Sequence, residues 1–154
     1  MNIKILSLRK SDCPLIRSLE DEYIKRLSKY TRVERIDVKR AKIKGAQQKN
    51  RTEETQKLLA VLKRGEYVVL LSEKGKTYLS PEFAQFVKAK INSGIRTLTF
   101  VIGGPTGFNE DISQKVHSNL SLSRLTFPHQ LSRLILIEAL YRSFDIMHGG
   151  PYHK

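Results

Sequence analysis

Two patterns of apolar residues alternate along the chain. Residues 14–30 place them three or four positions apart, as on one face of a helix, whereas 67–71 and 98–102 are continuous apolar runs, typical of buried parallel strands. Further strands are predicted at 2–8, 32–38 and 120–127, and further helices at 52–63, 80–92, a short segment after 109, and 129–147. This alternation predicts one α/β domain over residues 1–154, with a parallel sheet and helices on both faces.

The last predicted helix, 129–147, is apolar nearly all round. Only Glu138, Arg142 and Asp145 form a polar stripe along it. A helix that covers one sheet needs only a partial apolar arc, so the excess apolar surface predicts burial in a homodimer interface. In helix 80–92, Ser80 is predicted as the N-cap, because a proline follows it at the first turn.

Size and composition are those of a folded protein with one ordinary domain. The chain has 154 residues, of which 40% are hydrophobic and 28% charged. Cys13 is the single cysteine, the first residues lack the form of a signal peptide, and no apolar run reaches the ~18 residues of a membrane span. The four histidines are scattered without metal-ligand spacing, so no metal site is predicted. These features predict a cytoplasmic protein.

Positive charge is concentrated in the first part of the chain. The formal net charge is +13; residues 1–64 contribute +10 (18 Lys and Arg against 8 Asp and Glu), and residues 65–154 contribute +3 (10 against 7). Between Asp37 and Glu53 there are basic residues and no acidic one: Lys39, Arg40, Lys42, Lys44, Lys49 and Arg51. We expect this segment to be an RNA-binding loop; the alternative is a solvated charge run that keeps the protein soluble.

Gly103, Gly104 and Gly107 follow a predicted buried strand and precede a predicted helix. In an open parallel sheet, ligands bind at the carboxyl ends of the strands, and glycine lets the backbone approach a ligand closely. The turn has neither the Lys-Ser/Thr pair of a Walker loop nor the GxGxxG spacing of a dinucleotide site. By itself, this glycine-rich turn is explained equally well as a ligand-binding turn and as a tight structural turn between a strand and a helix.

Two segments near the C-terminus carry polar groups among apolar ones. Residues 122–129 (LSRLTFPH) form a second candidate loop, in which Pro128 ends the strand and His129 begins the last helix. The final residues are Tyr152, His153 and Lys154, which can exchange protons or hydrogen bonds, although chain termini are usually frayed. We therefore expect the tail to be held in a site.

Four motifs together resemble a known family. They are FVIGGPTG at 100–107, LSLSRLTFPHQLSRL at 120–134, EALYR at 138–142 and GGPYHK at 149–154. The chain resembles the ribosomal large subunit methyltransferase H family, SPOUT-class enzymes that methylate N3 of a pseudouridine in large-subunit (23S) ribosomal RNA. The resemblance covers the whole chain in length and element order. The chain differs from the family pattern at two places. The family often has Gly where this chain has Leu8-Arg9, and often has Gln where this chain has Ala139.

The resemblance implies a SPOUT-type fold with a C-terminal trefoil knot, which pattern reasoning would not predict because knots are essentially absent from protein folds. It also implies a homodimer and S-adenosylmethionine as the cofactor, held by three loops. Carried over by position, the cofactor-binding residues are Leu71 with the turn after it, Gly103, Gly104, Leu122, Ser123, Arg124, Leu125, Thr126 and Phe127.

The implied reaction gives roles to C-terminal residues. The acceptor imide N–H must lose a proton, so a nearby base or a cation that stabilises the anion would help. Arg142 is the candidate cation, oriented by Glu138 one turn earlier; the alternative is a simple ion pair on the helix surface. Tyr152 and His153 are candidates for contacting the acceptor base.

Basic residues and cofactor motifs fall in different parts of the chain, which predicts a composite site. In this interpretation one protomer holds the cofactor and its partner contributes RNA contacts from its basic half; the alternative is two self-sufficient sites. The RNA substrate is either free or within the assembled ribosome. The rival function is a non-catalytic, basic ribosome- or RNA-binding protein, which would need no cofactor loops.

Overall fold

The computed structural model describes residues 1–8, 12–38, 47–103 and 110–154. The strands of the described residues are β1 (Asn2–Ser7), β2 (Val33–Asp37), β3 (Tyr67–Lys76), β4 (Thr97–Ile102) and β5 (Ser118–Leu120). The helices are α1 (Pro14–Leu27), α2 (Gln47–Val61), α3 (Ser80–Asn92) and α4 (His129–Met147), with a 3₁₀ helix at Glu110–Gln114. None of these helices is long and apolar enough to cross a membrane.

These strands form one parallel sheet in the order β2-β1-β4-β3-β5. At its centre, Ile5 of β1 and Val69 of β3 both lie beside Phe100 of β4. The side chain of Phe100 is fully buried. The parallel sheet predicted from the continuous apolar runs is confirmed.

Both faces of the sheet are covered by helices. Successive residues of β1 point to opposite faces, so this strand contributes to a core on each side. Ile3 and Ile5 belong to a core formed with α1, α3 and α4. Leu6 points the other way and packs with Leu58 of α2 and with Ile112. As a result, β1 and β4 are buried at every position after their first residue, including the polar ones.

Helix α4 packs against α1, α3 and the sheet. Its residues Leu136, Ile137, Leu140 and Phe144 are buried in this core. Part of the apolar surface of α4, which was predicted to lie in a homodimer interface, is therefore buried within one protomer. The homodimer itself stays a prediction.

Three predicted boundaries are wrong in ways that affect the functional sites. Helix α2 begins at Gln47 instead of 52, so Lys49 and Arg51 lie on a helix and not in a loop. Strand β3 continues to Lys76 instead of turning after Leu71. The strand predicted at 120–127 ends at Leu120.

The start of α3 also differs by one residue from the prediction. Leu79, and not Ser80, is the N-cap. Its backbone N–H donates to Glu82 Oε2 at 2.9 Å. A carboxylate in the first helical turn thus satisfies a donor that has no partner within the helix.

Candidate active site

A cavity of about 870 Å³ opens at the carboxyl edge of the sheet, beside β3 and beyond the ends of β4 and β5. This volume is within the range of sites for small molecules and cofactors. The lining is largely apolar, with several hydroxyl groups, and Glu73 is the one carboxylate among its described residues. The lining residues are Leu70, Leu71, Ser72, Glu73, Lys74, Ile102, Gly103, Ile112, Leu120, Ser121, Leu122, Ser123, Leu125, Thr126, Phe127, Pro128, His129 and Ser132.

The long β3 strand builds one wall of this cavity. Leu71 and Lys76 both pair with Leu120, so the residues between them bulge out of the ladder. At Gly75, a Cβ atom would lie 2.5 Å from the backbone carbonyl carbon of Leu120. Only glycine fits so close an approach between two backbones.

The loop after β5 forms the opposite wall and is held in shape by its own side chains. Ser121 Oγ donates to the Ser123 carbonyl at 2.8 Å, and the Leu125 N–H donates to Ser123 Oγ at 3.0 Å. Thr126 Oγ1 donates to Glu73 Oε1 at 3.0 Å, which joins this loop to the β3 wall. Leu125 is 72% exposed, so an apolar side chain lies open to solvent at the cavity.

Most of the residues predicted to bind the cofactor line this cavity. Those that do are Leu71, Gly103, Leu122, Ser123, Leu125, Thr126 and Phe127. Arg124 is exposed and is not part of the lining, so its contact with the cofactor stays a prediction. Gly104 lies outside the described residues. His129, the last residue of the candidate loop 122–129, also lines the cavity. Ser132 was not predicted; it reaches the cavity because α4 starts at its edge.

The C-terminal tail folds back onto α4. Gly149, with φ +67°, follows the helix, and the Gly150 N–H donates to the Asp145 carbonyl at 2.9 Å. The Tyr152 N–H donates to Asp145 Oδ2 at 3.0 Å, and Asp145 is buried. A Cβ atom on Gly150 would overlap with the Asp145 carboxylate. The tail is therefore held, as its residue types predicted, but against its own helix.

Four predicted residues meet where the tail returns, and we call them the tail group: Glu138, Arg142, Tyr152 and His153. Glu138 Oε1 accepts hydrogen bonds from Arg142 Nε at 3.1 Å, Arg142 Nη2 at 2.5 Å and the Tyr152 hydroxyl at 2.9 Å. The Arg142 guanidinium lies 4.7 Å from the Tyr152 ring centroid, and Arg142 Nη1 lies 3.4 Å from His153 Nδ1. Tyr23 of α1 shares a further hydrogen bond with Tyr152, at 3.0 Å between hydroxyl oxygens.

Comparison with known proteins decides the family. Residues 1–153 match the family model described as predicted SPOUT methyltransferase. The chain belongs to the SPOUT methyltransferase family. It is similar to proteins named ribosomal RNA large subunit methyltransferase H from Flavobacterium johnsoniae (44% identical, 99% of each chain) and Flavobacterium psychrophilum (42%, 99% of each). The protein of that name from Streptococcus uberis is 40% identical over 100% of each chain. The family predicted from the C-terminal motifs is confirmed, and with it a methyltransferase.

In this SPOUT methyltransferase, two members of the tail group, Tyr152 and Arg142, have shifted pKa values. Burial raises the pKa of Tyr152, and hydrogen bonds with Tyr23 and Glu138 raise it further. The hydrogen bond with Glu138 raises the pKa of Arg142 above its ordinary value. At neutral pH, Tyr152 is therefore a hydrogen-bond donor and not a base, and Arg142 is a permanent cation.

Within one protomer, the tail group and the cavity are separate. None of the four tail-group residues lines the cavity. Ser132 is the last α4 residue of the lining, and a rise of 1.5 Å per residue puts Glu138 about 9 Å and Arg142 about 15 Å farther along the helix. Among the described residues, the predicted catalytic side chains therefore lie outside the lining that most of the predicted cofactor residues share.

The predicted RNA-binding residues are only partly within the structure. Lys49, which is exposed, and Arg51 lie in the first turns of α2. Lys39, Arg40, Lys42 and Lys44 lie outside the described residues. Among the residues that the structure describes, no group of three or more His, Cys, Asp or Glu side chains could hold a metal ion.

Proposed function

We propose that this protein is a cytoplasmic, S-adenosylmethionine-dependent enzyme that methylates N3 of a pseudouridine in large-subunit ribosomal RNA. The observation that supports it most directly is the cavity at the carboxyl edge, which gathers residues from four separate segments of a SPOUT methyltransferase chain. The relatives named ribosomal RNA large subunit methyltransferase H support the RNA substrate. N3 of pseudouridine rests on the resemblance of the C-terminal motifs.

The cavity has the chemistry that S-adenosylmethionine requires. Leu71, Ile102 and Leu122 offer apolar surface to an adenine ring, and hydroxyls such as those of Ser72 and Ser123 offer hydrogen bonds to a ribose. Glu73 places one carboxylate in a site whose ligand carries a cationic sulfonium. When bound, the cofactor supplies the methyl group that is transferred.

The tail group supplies what the acceptor base needs. Loss of the N3 proton leaves negative charge on the neighbouring carbonyl oxygens of the base. Arg142 is a fixed cation with N–H groups beyond those bound to Glu138, so it stabilises this anion. The Tyr152 hydroxyl donates its one proton to Glu138 Oε1, so Tyr152 positions the carboxylate that orients Arg142. Because its hydroxyl stays protonated, Tyr152 is not the group that takes the proton.

The separation of cavity and tail group favours an enzyme that works as a homodimer. Methyl donor and acceptor must be in contact for transfer, yet the two sets of residues lie apart along α4 in one protomer. We propose that the cavity of one protomer faces the tail group of its partner. Exposed leucines on the two adjacent helices, Leu15 and Leu19 on α1 and Leu131 on α4, support an interface there.

Mixing two inactive variants tests the composite site. Gly103→Val removes the cavity and leaves the tail group, whereas Arg142→Ala removes the tail group and leaves the cavity. A heterodimer then has one site with both parts intact. Random pairing gives half heterodimers with one intact site each, so we expect about a quarter of the wild-type rate. If subunit exchange is verified and no activity returns, each site is built from one protomer.

Thermal unfolding with and without S-adenosylmethionine separates the proposed enzyme from the rival, a non-catalytic RNA-binding protein. A ligand at ~100 times its dissociation constant stabilises the folded state by about 2.7 kcal/mol, which shifts the melting temperature by several degrees. The enzyme should show this shift, and Gly103→Val should not. An unchanged melting temperature in the wild type would favour the rival.

The basic segment and the knot complete the proposal. We propose that Lys39, Arg40, Lys42, Lys44, Lys49 and Arg51 contact RNA phosphates, whether the substrate is free RNA or the assembled ribosome. The exposed position of Lys49 at the start of α2 supports this. We also propose that the C-terminal region has the trefoil knot that the family resemblance implies.

A further inference from the structure

A second cavity, of about 570 Å³, lies at the opposite end of the sheet from the cofactor cavity. Its lining comes from the turn before β3 and the start of that strand, from Ile95 just before β4, and from the turn before β5, all at the amino edge. None of its described residues has a role in the reaction proposed above. Tyr67 begins β3 at this edge, and Leu71 lines the cofactor cavity; a rise of about 3.3 Å per residue separates them by about 13 Å.

The charge of this amino-edge cavity is positive. Lys63, Arg64 and Lys115 line it, and all three are exposed. Glu66 is the one carboxylate of the described lining, but it is buried and bound to Lys4, at 2.6 Å between Nζ and Oε1. Because Lys4 already neutralises Glu66, the three exposed cations attract an anionic ligand.

An aromatic platform lies beside these cations. The His117 ring stacks on the Tyr67 ring, with centroids 4.8 Å apart and planes inclined by 27°. Lys90 Nζ lies 4.1 Å from the Tyr67 ring centroid, which adds a cation to the stack. His117 remains exposed although Tyr67 covers part of its ring.

Backbone hydrogen bonds hold His117 in this orientation. The Val68 N–H donates to His117 Nδ1 at 3.0 Å, and the His117 N–H donates to the Val68 carbonyl at 2.8 Å. A neutral imidazole that accepts at Nδ1 carries its proton on Nε2. The ring is therefore pre-oriented, with an N–H donor and an open surface available to a ligand.

We propose that the amino-edge cavity is a second RNA-binding site, which stacks an unpaired base on His117 and holds the adjoining phosphates with Arg64 and Lys115. Exposed aromatic rings flanked by cations are how proteins bind single-stranded nucleic acid, whereas a free phosphate or an acidic protein would need only the cations. This inference rests on the proposed function, since it takes the RNA substrate as the ligand. It adds a contact remote from the reacting base.

Two variants and a matched control test the site with a fluorescently labelled single-stranded RNA, by anisotropy over a range of salt concentrations. Arg64→Ala with Lys115→Ala should lower the slope of log affinity against log salt by roughly 0.7 for each lost contact. His117→Asn keeps an acceptor for the Val68 N–H but removes the ring, and should weaken binding about tenfold. Lys25→Ala with Lys88→Ala removes the same charge from exposed helix positions outside both cavities, and should do neither.

Comparison of the two test variants with the control decides whether the site binds RNA and whether a base stacks on His117. If both test variants bind RNA as the control does, the site is wrong; if only the charge variant weakens binding, base stacking on His117 is wrong. Arg64 and Lys115 are exposed, so their variant should fold and decide the question even if His117→Asn does not. Methylation of ribosomal RNA by the wild type is measured separately, so failure of the proposed function is not mistaken for failure of this site.

Discussion

The two ends of the sheet hold cavities of different chemistry. At the carboxyl edge, about 870 Å³ is enclosed by apolar and hydroxyl side chains, with Glu73 as the described carboxylate. At the amino edge, about 570 Å³ is lined by Lys63, Arg64 and Lys115, next to the ring of His117. The first suits a small ligand with limited charge, and the second suits a polyanion.

The difference comes from how the chain enters and leaves each strand. At the carboxyl edge, the bulge of β3 and the loop after β5 fold over the sheet and enclose space. At the amino edge, short turns lead straight into β3 and β5, so their polar side chains stay at the surface. One parallel sheet can thereby separate the proposed cofactor site from the proposed RNA contact without a second domain.

The largest expected effect concerns the buried ion pair beneath the amino-edge cavity. Glu66→Gln leaves Lys4 buried without its counter-charge, which should lower the free energy of unfolding by about 3–5 kcal/mol. Glu66→Gln combined with Lys4→Met removes both charges and keeps an acceptor for the Thr99 hydroxyl, so most of this stability should return. Urea unfolding measures both.

This pair of variants also tests the contrast between the two cavities. The double variant leaves the net charge of the amino edge unchanged, so its RNA affinity should match the wild type. A single Glu66→Gln variant as stable as the wild type would show that Lys4 does not depend on Glu66.

A smaller effect is expected at the carboxyl edge, at Gly75. In Gly75→Ala, the new Cβ pushes against the Leu120 backbone and displaces the wall of the cofactor cavity. Overpacking of this kind costs about 1–3 kcal/mol, and we expect most of it as lost S-adenosylmethionine affinity, measured by calorimetry.

Gly94→Ala provides the control for Gly75→Ala. Gly94 has φ +76° and open space around it, so alanine strains the backbone there without touching the cavity. It should lower stability and leave cofactor affinity unchanged. Equal cofactor affinity in both variants would mean that the β3 bulge is not a wall of the site.

Local patterns predicted the fold better than they predicted the walls of the sites. Helix α1 was found because its apolar residues recur at the helical period, and α3 because Ser80 followed by a proline marks a helix start. The start of α2 was missed because its basic residues resembled a loop, although Lys, Arg and Gln are good helix formers. Strand β5 was overextended because the segment after Leu120 also alternates apolar and polar residues.

Seven of the described residues that line the carboxyl-edge cavity were predicted by name, all through family resemblance. Much of the rest of its wall depends on tertiary pairing. Nothing around Gly75 in the sequence shows that the Leu120 backbone lies against it. Likewise, His117 was one of four scattered histidines until the sheet placed it on Tyr67. Contacts between strands distant in sequence cannot be read from composition or periodicity.

The smallest expected effect concerns the tail group, which lies along α4 between the two ends. Burial and hydrogen bonds with Tyr23 and Glu138 raise the pKa of Tyr152, so its phenol stays protonated in the folded protein at a pH where an unfolded tyrosine, with a pKa of about 10, ionises. The stability that Tyr152 contributes is therefore complete below about pH 10 and is lost as the pH rises further.

Tyr152→Phe removes the hydrogen bond to Glu138 and should cost about 1 kcal/mol at neutral pH. Unfolding measured between pH 8 and about pH 11 should show the wild-type advantage shrinking at the alkaline end. An advantage that stays constant with pH would mean that the tail does not hold Tyr152 against Glu138.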